Sequence, residues 1–398
     1  MVNKFTLPSI MALLYAIIII VMMQPYYLWG MNLQPIIYLS SLIGLCYLRP
    51  NSNKEIGLFV FFVMVMLIYP ITHGSSDVLR YIFLAFIPFL AKDFIKESYK
   101  FFSIIYISVL SISAVVWLMV VLGFAGLLPS QVIEPLNELK NYNYTAYPFL
   151  VLPLDMLNPF EAIRFGSVFD EPGVVGTINL VMLFINKFDF KKVNNVILLI
   201  TGFFSLSLFF IGGLAIYGGL KYFLGKSKLK NKIALLAVAA GVIIALLYVP
   251  VLHDYFGYRL EYDKDTQSFV GNTRSNTGVT QYFNSIRGTS KYFWGDDPKV
   301  VKLYEDEANY KIAILRFGAV FCFLYIVFFI LYFKKSTKAS AYETLVFATL
   351  VVITLYQRPG FINYEFVFLF TSYIKTTGIK KREYVVKKNT QGLCSSKT

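Results

Sequence analysis

The stretch RFGSVFDEPGVVGT, Arg164 to Thr177, sets the reading of the whole chain. It delivers Arg164, Asp170 and Glu171 to the mouth of an apolar segment, 173 to 186, in a protein otherwise suited to lipid. Charge at such a boundary is expensive and usually functional. Pro172 fits the first turn of the helix that follows, where its missing N–H costs nothing, and Asp170 and Glu171 stand where carboxylates favour a helix N-terminus. Capping alone would account for those three residues. It does not account for Arg164, nor for Gly166, Gly173 and Gly176, which let backbone or substrate approach closely.

Outward from this stretch, the composition fixes the class. Hydrophobic residues make up 57% and charged residues 15%, with a mean hydropathy of +0.61, and apolar runs of membrane-spanning length recur from end to end. They lie near 7–23, 35–48, 56–72, 78–91, 101–122, 173–186, 194–208, 209–224, 233–250, 311–333, 340–356 and 364–376. The expectation is an all-α polytopic membrane protein of about 12 transmembrane helices, forming one integral membrane domain over 1–398. The first run lacks a small-residue cleavage signature, so it reads as a retained span and not a signal peptide. Cys46, Cys322 and Cys394 are scattered singly, which suggests neither a disulfide framework nor a thiolate metal site.

Charge distribution orients the spans. Lysines cluster in 92–100, 187–192, 221–232, 334–338 and the tail 375–398. All of these fall on one side only if 194–224 crosses twice, turning near Gly212 and Gly213, and both termini are then cytoplasmic. The net charge of +14 therefore belongs to membrane topology, and nucleic acid is not an expected partner. The tail 375–398 reads as a basic cytoplasmic anchor to anionic membrane lipid. Two larger outer loops remain, 123–172 and 251–310, each too long for an ordinary turn. Within the first, Tyr147 to Met156 is apolar enough to lie in the interface or dip back into protein; the second mixes aromatic and charged residues and reads as a small cap.

The arginines contradict the lysines. Seven of the nine, Arg80, Arg164, Arg259, Arg274, Arg287, Arg316 and Arg358, fall on the outer side, where the positive-inside rule predicts few. A planar guanidinium binds phosphate or carboxylate through two parallel hydrogen bonds, so outward arginines near the membrane surface imply an anionic substrate there. The competing explanation is that each pairs with an acidic residue of its own loop. For Arg80, close to a span, and for Arg164 the two explanations stand even. His73 and His253 are the only histidines and lie in different outer loops, so no metal site is expected. Outer aromatics such as Tyr258, Tyr262, Tyr282, Tyr292, Phe293 and Trp294 suit stacking on sugar rings.

Arg164, Gly166, Glu171, Pro172 and Gly176 form an R-x-G-x-x-x-(D)-E-P-x-x-x-G signature. Together with the span number and the large outer loop before the last spans, it resembles the O-antigen and capsular polysaccharide polymerases, the Wzy family. A second feature is similar to that family: Asp306 and Glu307, then Tyr310, then Gly318. The resemblance implies a GT-C-like polymerase/ligase architecture in the bacterial inner membrane. It implies transfer of a growing glycan from an undecaprenyl diphosphate carrier to the next lipid-linked repeat unit at the periplasmic face, with a chain-length regulator as a possible partner and no cofactor. Under it, Glu171 is the first candidate for general base, with Asp170 and Glu305 behind it, and Arg164 stands with them in the catalytic group. Arg80, Arg259, Arg274, Arg287, Tyr310 and Arg316 would bind substrate, the arginines stabilising the diphosphate as the glycosidic bond breaks. Related O-antigen ligases generally carry a histidine near the second motif, and this chain has none after His253. A ligase-type transferase and a lipid-linked oligosaccharide flippase are the alternatives, but a flippase would show short loops and two similar halves. A membrane acyltransferase would need a histidine constellation that His73 and Asp77 do not make.

Overall fold

Apolar segments joined by short polar turns give a bundle of helices. The computed structural model describes residues 6–50, 52–74, 78–135, 142–154, 164–224, 277–304, 310–337, 339–358 and 362–377, together with 233, 248, 262–263, 268–269 and 360. The first half runs α1 (Leu7–Met22), α2 (Gln34–Cys46), α3 (Asn53–His73), α4 (Val78–Phe86) and α5 (Lys92–Val121), then α6 (Pro172–Ile185), α7 (Val193–Phe204) and α8 (Leu208–Gly219). The chain ends with α12 (Tyr310–Phe317), α13 (Ala319–Thr337), α14 (Ala341–Gln357) and α15 (Tyr364–Thr377). Local sequence sets several boundaries. Ser52 accepts the Glu55 amide at 3.3 Å at the start of α3, and Gly74, at φ +59°, stops it in the left-handed conformation. Ser340 and Glu343 form a complete capping box on α14.

Among the described residues, three helices, Asn53–His73, Lys92–Val121 and Ala319–Thr337, are long and apolar enough to cross a membrane. The others that coincide with expected spans are shorter, so the helices lie mostly where the hydropathy puts them. Apolar side chains also face outward: Val60, Met64 and Ile71 on α3, Val115 on α5 and Phe323 on α13 are all exposed. A helix apolar inside and out suits a lipid surround.

Expectation and structure part at several places. The turn inside 194–224 falls at Ser205–Ser207, with Leu206 at φ +47°, and not near Gly212 and Gly213. Gly213 lies within α8, where Leu180 of α6 occupies the space a side chain would need, and Gly202 stands likewise against Phe210. Gly213 thus serves close helix packing instead of a turn. The run 311–333 is broken at Gly318, at φ +84°, into α12 and α13. The expected all-α architecture also carries strands. In the segment 123–172, β1 (Gln131–Ile133), β2 (Tyr144–Tyr147) and β3 (Leu150–Pro153) make a three-stranded antiparallel sheet. Tyr147 to Met156, expected as an interfacial or re-entrant stretch, is in its described part a hairpin turn and strand. A short pair, β4 (Tyr262–Asp263) with β5 (Ser268–Phe269), lies in the second loop. The expected span 233–250, except 233 and 248, and the tail after 377 lie outside the described residues.

The second loop continues as α9 (Thr277–Ile286), α10 (Ser290–Trp294) and α11 (Pro298–Lys302). With α12 they enclose a small core of their own, built on Val279, Phe283, Ile286, Val301, Ile312 and Leu315. In the main bundle, α15 packs against α1, α5, α6 and α13, and α6 against α7, α8 and α15. From Tyr364 to Lys375 every residue of α15 is buried, and nearly all of α6 is. Each of these two central helices has a glutamate at its N-terminal end, Glu171 at the cap of α6 and Glu365 in the first turn of α15.

Candidate functional site

Glu171 caps α6 by position but not by its side chain, which makes no hydrogen bond to the helix amides. Its Oε2 instead accepts Arg358 Nη1 at 2.7 Å. Arg358 ends α14, is buried, and donates through Nε to the Thr177 hydroxyl of α6 at 3.3 Å. Its Nη2 is buried without a hydrogen-bond partner. Arg358 and Arg80 are also the charges that act on the Glu365 carboxylate. Two guanidinium and two carboxylate groups thus gather where the ends of α4, α6, α14 and α15 meet. Opposite charges drawn out of water in this way compensate one another's desolvation, and removing one exposes the rest.

Beside the charges lies a cavity of about 290 Å³. Gln24 from the end of α1, Asn32 and Gln34 from the start of α2, Arg80 from α4, and Asn363 and Glu365 from the start of α15 form its polar wall. Met22, Met31, Leu33, Ile37 and Tyr364 complete it. Glu365 is 8% exposed, and its Oε2 has no hydrogen-bond partner. The helix ends that contribute here all belong to one end of the bundle. At the other end, Ser9 of α1 donates to Glu97 of α5 at 2.5 Å, and Lys375 of α15 lies 5.5 Å from the Tyr332 ring.

The remaining sequence candidates are dispersed around this centre. Asp170 accepts the Tyr144 hydroxyl at 2.6 Å, linking the loop sheet to the start of α6. Burial first, and then the Asp170 charge, push the Tyr144 phenol far above its ordinary value. Arg164 is half-buried, and its Nε donates to the Ser205 carbonyl at 3.1 Å, so it ties the loop to the α7–α8 turn. Gly166 and Gly176 stand against protein: a Cβ would lie 3.1 Å from the Phe169 carbonyl at the first and 2.6 Å from Ser207 Cβ at the second. Arg287 is exposed over the Phe283 ring at 5.4 Å, and Arg316 lies 6.0 Å from the ring of Phe317. Tyr310 stacks on Tyr356 at 5.2 Å. Of the candidates, Glu171 and Arg80 belong to the charge cluster, whereas Arg164, Asp170, Arg287, Tyr310 and Arg316 do not line the cavity. Arg259, Arg274, Glu305, Asp306 and Glu307 lie outside the described residues. No group of three or more His, Cys, Asp or Glu side chains comes together among the described residues.

Sequence reasoning missed Glu365 and Asn363, and it counted Arg358 among the outer arginines without giving it a role. Glu365 had a readable signal, being a lone carboxylate inside the apolar run 364–376. Arg358 and Asn363 had none, since only the fold brings residues 171, 358 and 365 together. Compared with family models, with curated proteins and with solved structures, the chain matches none.

Proposed function

We propose that this chain is an integral membrane glycosyltransferase. It polymerises undecaprenyl-diphosphate-linked oligosaccharide repeat units into O-antigen or a capsular or extracellular polysaccharide, at the periplasmic face of the bacterial inner membrane. The observation that carries the reading is the cluster of the buried Arg358 and Glu365 with the part-buried Arg80 and Glu171 beside a polar cavity, at one end of a bundle otherwise made of apolar helices. Ionisable groups are kept inside such a bundle when they handle a polar or charged substrate.

In this reading Arg80 and Arg358 face the carrier diphosphate. The guanidinium groups stabilise the negative charge that grows on the leaving diphosphate, so the chemistry has no need of a metal ion. A carboxylate of the cluster takes the proton of the attacking sugar hydroxyl. Aromatic residues of the second outer loop, among them Tyr292, Phe293 and Trp294, offer stacking faces for the glycan. About twelve spans, with both termini cytoplasmic and loops 123–172 and 251–310 outside, put the cluster on the face where the lipid-linked units are displayed.

The test is the glycan profile of a host strain carrying chromosomal Arg358→Ala or Arg80→Ala. With protein levels and membrane insertion preserved, each strain is expected to make single repeat units and no long chains. Long-chain glycan at wild-type levels from both strains would remove the cluster from the reaction.

A further inference from the structure

We infer that the cavity between α1, α2, α4 and α15 is a binding subsite for one neutral sugar ring, and that Glu365 is the base that deprotonates this sugar's attacking hydroxyl. The assignment rests on the polymerase reading and names the acceptor site within it.

The lining decides the ligand class. Gln24, Asn32, Gln34 and Asn363 are amides, each able both to donate and to accept a hydrogen bond. The wall's two charged residues, Arg80 and Glu365, are opposite in sign. A free anion or cation would therefore meet no surplus of opposite charge, whereas a ligand with many hydroxyls meets a matching set of donors and acceptors. Met31 and Ile37 offer apolar surface for the C–H faces of a sugar ring. At about 290 Å³ the cavity stands at the lower bound of ligand sites, roughly 300 Å³, which is room for one sugar ring.

The two cluster carboxylates differ in what they can accept. Glu171 Oε2 already takes the Arg358 guanidinium at 2.7 Å, and its side chain is 35% exposed. Glu365 is buried against the cavity, and its Oε2 has no hydrogen-bond partner. A carboxylate oxygen in that setting accepts a sugar hydroxyl. The charged and titratable groups around it are Arg80, Arg358, Tyr364 and, on α13, Tyr325. In the transfer, the acceptor hydroxyl oxygen bonds to the anomeric carbon of the donor glycan, and the bond from that carbon to the carrier diphosphate breaks. The diphosphate leaves with the electron pair, and the hydroxyl proton passes to Glu365.

The experiment uses full-length protein in lipid nanodiscs and two probes from a host strain lacking the protein: its lipid-linked repeat unit, and the same oligosaccharide freed from the lipid by mild acid. Wild-type protein is expected to extend the first and bind the second. Glu365→Gln should bind the free oligosaccharide within a few-fold of wild type while transfer falls by about 10²- to 10⁴-fold. Glu365→Asp should recover part of that rate. Gln34→Ala and Asn363→Ala should each weaken oligosaccharide binding by about tenfold, as expected for a lost hydrogen bond. Transfer by Glu365→Gln within a few-fold of wild type, or loss of binding together with transfer, overturns the role of Glu365 as base. Unchanged binding in both amide variants overturns the subsite. Wild-type protein that binds the free oligosaccharide but never extends the lipid-linked unit would instead overturn the polymerase reading and leave the subsite standing.

Discussion

At the scale of the residue, the Arg358–Glu171 contact decides between two roles that one carboxylate could play. A glutamate at a helix N-terminus normally acts through its charge on the helix amides, contributing about 0.3–1 kcal/mol. Glu171 makes no such cap bond and spends its Oε2 on a buried guanidinium. Removing one partner of a fully buried pair costs about 3–5 kcal/mol, and with Glu171 about one third exposed a cost of roughly 1–3 kcal/mol is expected. Glu171→Ala and Arg358→Ala should each lower the thermal stability of the detergent-solubilised protein, and the double variant should lose less than the sum of the two. Additive losses would show that the pair is not coupled.

The Asp296 carboxylate is a second case at this scale. It accepts the Tyr282 hydroxyl, the Asp297 amide at 2.8 Å and Lys291 at 3.1 Å, while its backbone amide reaches the Leu315 carbonyl at 2.7 Å. Burial alone would raise its pKa, but the three donors outweigh burial and hold it below the ordinary carboxylate value. A depressed pKa stabilises the folded cap at pH above the ordinary value, and that stabilisation is lost as pH falls through the lowered one. Protection factors of the amides in α9 and α10, taken against the intrinsic exchange rate at each pH, should therefore fall below about pH 4, taking the ordinary carboxylate range as the reference. Asp296→Asn should exchange faster at neutral pH and lose the acid dependence. Identical acid profiles for the two proteins would count against the link.

At the scale of the element, Gly318 shows why one expected span becomes two helices. Its φ of +84° is open to glycine at little cost, and a Cβ there would collide with the Phe293 carbonyl and the Trp294–Gly295 backbone. The break therefore seats α10 of the small α9–α12 unit against the start of α13, and Gly295 lies in turn against the His73 ring at the end of α3. Gly318→Ala should destabilise the protein by about 1–3 kcal/mol, the cost of a strained backbone without the glycine. Limited proteolysis should then cut between α9 and α12 sooner than in wild type. A variant with unchanged melting and cleavage would mean that the cap does not depend on this break.

At the scale of the whole molecule, α6 and α15 act as a buried axis around which the other helices pack. Their glutamate ends lie together, with arginines from α4 and α14 beside them. If α6 crosses the membrane, residues beyond its C-terminal end and residues of the outer cap must sit on opposite faces. In a cysteine-free background, Lys192→Cys and Ser290→Cys should be labelled by a membrane-impermeant maleimide from opposite sides, Ser290→Cys from outside. Labelling of both from one side of sealed vesicles would overturn the orientation.

The sequence by itself determined where most helices lie, because runs such as 56–72 and 101–122 have no competing way to bury their side chains. It also marked the start of α6, since Pro172 can only open a helix there. It pointed to Arg80 and Glu171 through their place at span ends. Tertiary structure alone decided the rest. Gly212 and Gly213 read as a turn because glycine favours turns, yet the turn falls at Ser205–Ser207 and Gly213 is small so that Leu180 can pack against it. The strands of the first loop were hidden because Tyr144–Tyr147 and Leu150–Pro153 are four residues each, too short for an alternating pattern to stand out from an apolar run. The union of Glu171 with Arg358, and of Arg80 with Glu365 and Asn363, spans up to 285 positions of the chain. Local propensity carries no information over such distances, and only the packing of α4, α6, α14 and α15 makes those side chains neighbours.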